Sequence, residues 1–165
     1  MNAKRNVIID CDPGIDDSLA LMLAIASKKM NILGITVVCG NVPVKTGAEN
    51  VLKILKLMDR QDIPVYIGED KPIIREYVSA QDTHGMDGLG ESNYPAVEIS
   101  KSYDPCGGRK REGAVEFIIR VLKEYPDTSI IALGPLTNLA RAISVILKDT
   151  LSTVLLMYSP TIPHQ

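Results

Sequence analysis

A chain of 165 residues that is 45% apolar and 23% charged has the composition of one globular domain, which excludes a disordered or fibrous chain. Its formal net charge of −2 excludes a general binder of nucleic acid or of membrane surfaces. Cys11, Cys39 and Cys106 form neither a disulfide framework nor a paired metal-ligand spacing. They are expected to be small buried hydrophobes in a reducing compartment. The opening MNAKRNVIIDCDPG turns acidic too early for a signal peptide. No apolar run reaches membrane-spanning length, so a cytoplasmic protein is expected.

Val7 to Ile9 reads as a buried strand closing on Asp10. Asp12-Pro13-Gly14 is turn chemistry. Asp16 or Asp17 is expected to cap a helix running to about Lys28 through Leu19, Ala20, Leu23 and Ala24. A second buried strand is predicted over Ile32 to Val38, ending at Gly40-Asn41. A helix follows over 46–59, with Ala48, Val51, Leu52, Leu55 and Met58 on one face. Pro64 to Ile67 is a short third strand. Residues 68–110 are rich in glycine, proline and polar residues and keep no period; a connection this long is usually functional or disordered. A helix over Arg111 to Glu124, a strand over Ser129 to Leu133, a helix over Thr137 to Leu147 and a fifth strand over Thr153 to Met157 complete the pattern. Alternating strands and helices predict an α/β fold with a mostly parallel, doubly wound sheet and flanking helices. Ligands are expected beyond the carboxyl ends of its strands.

The most informative segment is Asp10-Cys11-Asp12-Pro13-Gly14-Ile15-Asp16-Asp17, which packs four carboxylates into eight residues directly after a strand. No Lys or Arg lies between Arg5 and Lys28 to neutralise them locally. Like charges this close raise one another's pKa, and a bound hard cation removes the conflict. All-oxygen ligands suit Ca²⁺ or Mg²⁺. A metal held there can lower the pKa of a water and orient a substrate, while a carboxylate takes the water's proton. The bland alternative is that one aspartate caps the helix and the others are solvated.

The run VIIDCDPGIDD (Val7 to Asp17), Gly40-Asn41, His84-Gly85 and ALGPLTNLA (Ala132 to Ala140) resemble the inosine-uridine nucleoside hydrolases. The resemblance extends from about Val7 to Met157 and implies a Ca²⁺-dependent N-ribohydrolase that cleaves a ribonucleoside into free base and ribose. It implies that Asp12 binds Ca²⁺ and is the general base, that Asp17 is a second carboxylate ligand, and that the backbone carbonyl of Leu133 reaches the ion. Asp16 and Asn41 match residues that bind the ribose hydroxyls. Asp10 matches a supporting acid, and His84 lies where the family has a loop over the substrate. Leu133 is expected to be core in its side chain, and Thr137-Asn138 can equally be no more than a helix start. A homo-oligomer is left open.

The family's chains continue beyond 165 residues. The resemblance implies a further ligating aspartate beside a histidine, and an Asn/Glu/Asn set for the ribose, with no match here. The family has Gly-Gly after an apolar strand ending in Met, whereas Met157 is followed by Tyr158 to Gln165. Residues 1–157 are therefore read as the N-terminal portion of the family's α/β domain and 158–165 as a tail outside its pattern. Two other functions stay open at this point. One is a non-catalytic Ca²⁺-binding, ribose-binding or assembly fragment. The other is a Mg²⁺-dependent phosphatase, in which the first aspartate, Asp10, would be the nucleophile.

Overall fold

The computed structural model describes residues 3–95, 97 and 112–157. The tail at 158–165, Cys106 and the end of the long connection lie outside the described residues. In chain order the elements are β1 (Arg5–Cys11), α1 (Ile15–Ala26), β2 (Met30–Val37), α2 (Val44–Leu57), β3 (Val65–Ile67), α3 (Gln81–His84), α4 (Ala114–Glu124), β4 (Ser129–Ala132) and α5 (Thr137–Met157). The four strands form one sheet in the order β3-β2-β1-β4, and every pairing is parallel.

The apolar run in β1 reflects burial on both faces, as a covered parallel sheet requires. Successive side chains of a strand point to opposite faces. Ile9 therefore joins the core built with α1 and α2, through Leu21, Val51 and Leu55. Ile8 joins the core built with α4 and α5, through Phe117, Ile118 and Ala142. The result is the expected doubly wound, three-layer arrangement. The chain steps outward from β1 to β2 to β3, then returns to place β4 on the other side of β1. The reversal opens a crevice at the carboxyl end of β1, between the loops that follow β1 and β4.

The second core depends on one close approach. The register of β1 against β2 shifts at Val7/Ile8, just before Gly34. A Cβ on Gly34 would come within 2.5 Å of the Phe117 ring, and that ring stacks on Tyr66 with centroids 3.8 Å apart.

Two expectations need correction. The predicted fifth strand over Thr153 to Met157 is the end of α5 instead. No glycine or proline interrupts residues 137–157, and a short apolar run fits a helix as well as a strand. The expected first helix is α1, and only part of its apolar surface faces the core. Leu21, Ala24 and Ile25 are buried, but Leu19 and Leu23 are 63% and 76% exposed. The long connection is not structureless throughout, because α3 and a hydrogen-bonded loop lie within it. Among the described residues no helix is long and apolar enough to cross a membrane.

Gly34→Ala is expected to destabilise the chain by about 1–3 kcal/mol, because the added methyl overpacks the Phe117 ring. The midpoint of urea unfolding measures this; an unchanged midpoint would show that the ring moves aside freely.

Candidate active site

The acidic segment leaves β1 at the crevice. Asp10, the penultimate residue of β1, is fully buried on the side facing α4 and α5. Its Oδ1 accepts hydrogen bonds from the Thr36 hydroxyl (2.6 Å) and from the Asn138 amide (2.8 Å). Its Oδ2 has no partner. Burial pushes the Asp10 carboxyl up, and these two donors oppose the shift. Asp10 thus stands behind the crevice as a support. A fully buried carboxylate with one oxygen held by two donors suits a supporting role better than that of the nucleophile in the phosphatase alternative.

Asp12 enters the crevice itself. Its Oδ2 accepts the Asn41 backbone N–H at 2.7 Å. Two glycines flank the carboxyl group: a Cβ on Gly40 would overlap Oδ2, and one on Gly134 would meet Oδ1 at 2.5 Å. The chain therefore closes around Asp12 from the ends of both β2 and β4. The sequence marks Gly40 and Gly134 only as strand ends; their contact with Asp12 follows from the parallel order of β2, β1 and β4.

Asp17 lies in the first turn of α1 and is 5% exposed, like Asp12. Its Oδ2 accepts the Asn41 side-chain amide at 3.2 Å, while its Oδ1 is buried without a partner. Asn41 thus touches both carboxylates, Asp12 through its backbone and Asp17 through its side chain. The Asp17 carboxyl is pushed up to about 6, by burial first and then by the charges of Asp12 and Asp16. Burial also raises Asp12. Among the described residues no Lys or Arg pairs with Asp10, Asp12 or Asp17.

The expected cap on α1 is corrected. The N-cap is Gly14, in extended backbone, and neither Asp16 nor Asp17 caps. The first helical N–H, that of Ile15, is instead accepted by His84 Nδ1 at 3.2 Å. The His84 ring fills the space where a Gly14 Cβ would stand, so a glycine is needed there. Accepting at Nδ1 puts the ring proton on Nε2. Asp16 points outward with its side chain 80% exposed, and its Oδ1 is 3.9 Å from His84 Nδ1.

Leu133 follows β4, and its N–H donates to the Asp10 carbonyl at 2.8 Å. Leu133 is 41% exposed, not core as expected; β4 itself is only partly covered, and its last residue, Ala132, is already exposed. Its backbone lies next to Gly134, and so beside Asp12.

Asn50, which sequence reading passes over as part of a helix, is fully buried. Its amide donates to the carbonyls of Pro13 (3.2 Å) and Asp87 (2.8 Å). It therefore joins the acidic turn to the loop after α3. Gly88, at φ +73, allows the approach, since a Cβ there would meet the Asn50 amide at 2.9 Å. That loop is closed on itself: Asp87 Oδ1 accepts the N–H groups of Leu89 and Glu91, and Glu91 Oε1 accepts that of Met86.

The sequence expects a metal site, and the donors can be tested against one. Asp12 and Asp17 converge through Asn41, offer only oxygen, and leave one buried carboxylate oxygen unsatisfied. That suits a hard cation. Among the described residues no group of three or more His, Cys, Asp and Glu side chains is placed to hold a metal. Among the described residues two carboxylates would thus be the side-chain contribution to such a site, and other oxygens would have to supply the rest.

Asn50→Ala is expected to cost about 1–3 kcal/mol, since it leaves two carbonyls without their donor. Hydrogen exchange should show faster exchange at Leu89 and Glu91 than in wild type; equal rates would mean that the loop holds without Asn50.

The family model described as inosine-uridine preferring nucleoside hydrolase matches residues 7–157. Uridine nucleosidase 1 of Arabidopsis thaliana is 39% identical over 145 residues, which are 87% of this chain and 41% of that protein. The pyrimidine-specific ribonucleoside hydrolase RihA of Salmonella enteritidis is 42% identical over 135 residues, 81% of this chain and 41% of that protein. Among solved structures, the plant nucleoside hydrolase PpNRh1 superposes with a TM-score of 0.75 at 35% identity, covering 86% of this chain and 43% of that one. The chain spans about two fifths of the length of the relatives it matches. With its family model, its sheet order and the DCDPGIDD turn at the switch point in agreement, the chain belongs to the inosine-uridine preferring nucleoside hydrolases.

Proposed function

We propose that these residues form the carboxylate part of a Ca²⁺-dependent ribonucleoside hydrolase site, which splits the N-glycosidic bond into free base and ribose. The observation that carries this reading is the pair Asp12 and Asp17. Both are buried, both are held by Asn41, and among the described residues no Lys or Arg pairs with them. Asp12, Asp17 and the Leu133 carbonyl would hold the ion. Bound there, calcium would supply charge neutralisation, a lowered pKa for the attacking water and a template for ribose hydroxyls.

The chain's own groups do the rest. Asp12 has one oxygen fixed by the Asn41 N–H and is the general base that takes the water's proton. Asp16, exposed at the first turn of α1, accepts from a ribose hydroxyl, and Asn41 contributes at the same rim. The surrounding carboxylates stabilise the positive, oxocarbenium-like sugar of the transition state. His84, bonded to α1 by Nδ1, keeps Nε2–H for the substrate side. The relatives' printed names support a ribonucleoside substrate but differ over the base: uridine, pyrimidine, purine and inosine-guanosine. A cytoplasmic setting belongs to this reading, and Cys11 and Cys39 are free, buried thiols.

Two carboxylates and a carbonyl fall short of the roughly six to eight oxygens that calcium takes. Further groups must complete the site for full activity. Calorimetric titration should therefore show calcium binding that weakens by about tenfold or more in Asp12→Ala and in Asp17→Ala. Equal affinity in wild type and variants would end the assignment. Ribose release from inosine and uridine by the 165 residues alone should be absent or far below the ordinary enzyme range of about 1–10³ s⁻¹. Turnover within that range would show that these residues suffice.

A further inference from the structure

Asn138, the second residue of α5, is a fully buried amide whose polar atoms are all engaged. Its Nδ2 donates to Asp10 Oδ1 at 2.8 Å and to the Val37 carbonyl at 3.3 Å. Its Oδ1 accepts the Glu69 N–H at 2.9 Å. One side chain, carried by the helix after β4, therefore ties together the carboxyl ends of β1 and β2 and the segment after β3. The fit is close. A Cβ on Gly68 would overlap the Asn138 amide, so glycine leaves the room that the amide fills.

Asp10 in turn holds two parts of the site. Its carbonyl accepts the Leu133 N–H at 2.8 Å, and Asp12 follows two residues later. Asn138 makes no side-chain hydrogen bond to Asp12 or Asp17. We propose that Asn138 is a positioning residue for the acidic site: by clamping the Asp10 carboxylate to the sheet ends, it fixes the backbone from which Asp12 and the Leu133 carbonyl face the crevice. Its effect on metal binding rests on the calcium reading above; its effect on the backbone does not. The donating half of the amide is the part that matters. An aspartate at 138 keeps the shape and can still accept from Glu69, but sets carboxylate against carboxylate at Asp10. A serine is too short to span the three strand ends.

The test combines calcium titration with amide hydrogen exchange on the 165-residue chain, as wild type, Asn138→Asp and Asn138→Ser, well below the unfolding temperature. Both variants should bind calcium about 10–100-fold more weakly, the usual effect of removing a group that orients ligands from behind. In Asn138→Asp, Leu133 and Asn41 should exchange faster while Glu69 stays protected. In Asn138→Ser all three should exchange faster. Ile9 and Ile35, in the strand core, should be unchanged in both. Calcium affinity within roughly twofold of wild type in both variants would overturn the proposal. So would unchanged protection of Leu133 and Asn41, or loss of protection at Ile9 and Ile35, which would mark a general role in stability. If wild type binds no calcium, the calcium reading fails by itself, and Leu133 and Asn41 exchange still decides whether Asn138 positions the turn.

Discussion

Buried like charge is the constraint on which this structure turns. Asp10, Asp12 and Asp17 are each no more than 5% exposed, and they crowd the carboxyl end of one strand with no Lys or Arg paired to them among the described residues. Taking a carboxylate out of water is costly unless it is paired or hydrogen-bonded. The chain meets part of that cost with neutral donors: Thr36 and Asn138 to Asp10, and Asn41 to both Asp12 and Asp17. Neutral donors relieve desolvation but do not cancel charge. The elevated Asp17 carboxyl and its buried, unsatisfied oxygen are what remains.

The sheet order explains why the conflict sits where it does. With β2 on one side of β1 and β4 on the other, the turn after β1 lies at the reversal point, and backbone approaches it from both neighbours. Gly40 comes from the β2 side and Gly134 from the β4 side, each against a different oxygen of Asp12. The loop carrying His84 reaches the same turn over α1, held by Asn50. Four separate stretches of sequence are thereby spent on orienting one turn. That is what a site for oriented chemistry requires, where well-placed reactants can remove about 7–11 kcal/mol of barrier.

The alternation of strands and helices is legible in the sequence because apolar runs and turn residues mark each element, and the acidic turn is legible because its residues are contiguous. What the sequence hides is long-range. Asn138 bonds to Asp10 across 128 positions, and nothing local separates it from an ordinary helix start. Asn50 reads as a polar residue in a helix, although its bonds run to Pro13 and Asp87. The cap on α1 misled for the same reason: an aspartate in the first turn looks like a cap, but the acceptor for the Ile15 N–H comes from His84, 69 positions away. The fifth strand misled because a short run of β-branched and apolar residues carries no period long enough to separate strand from helix.

A crystal structure determined with calcium tests the central claim most directly. The account predicts one ion at about 2.3–2.6 Å from oxygens of both Asp12 and Asp17, with Asp17 Oδ1 among its ligands and the Leu133 carbonyl turned toward it. A structure at saturating calcium with no ion between Asp12 and Asp17, or with a basic side chain swung in to pair with them, would contradict it.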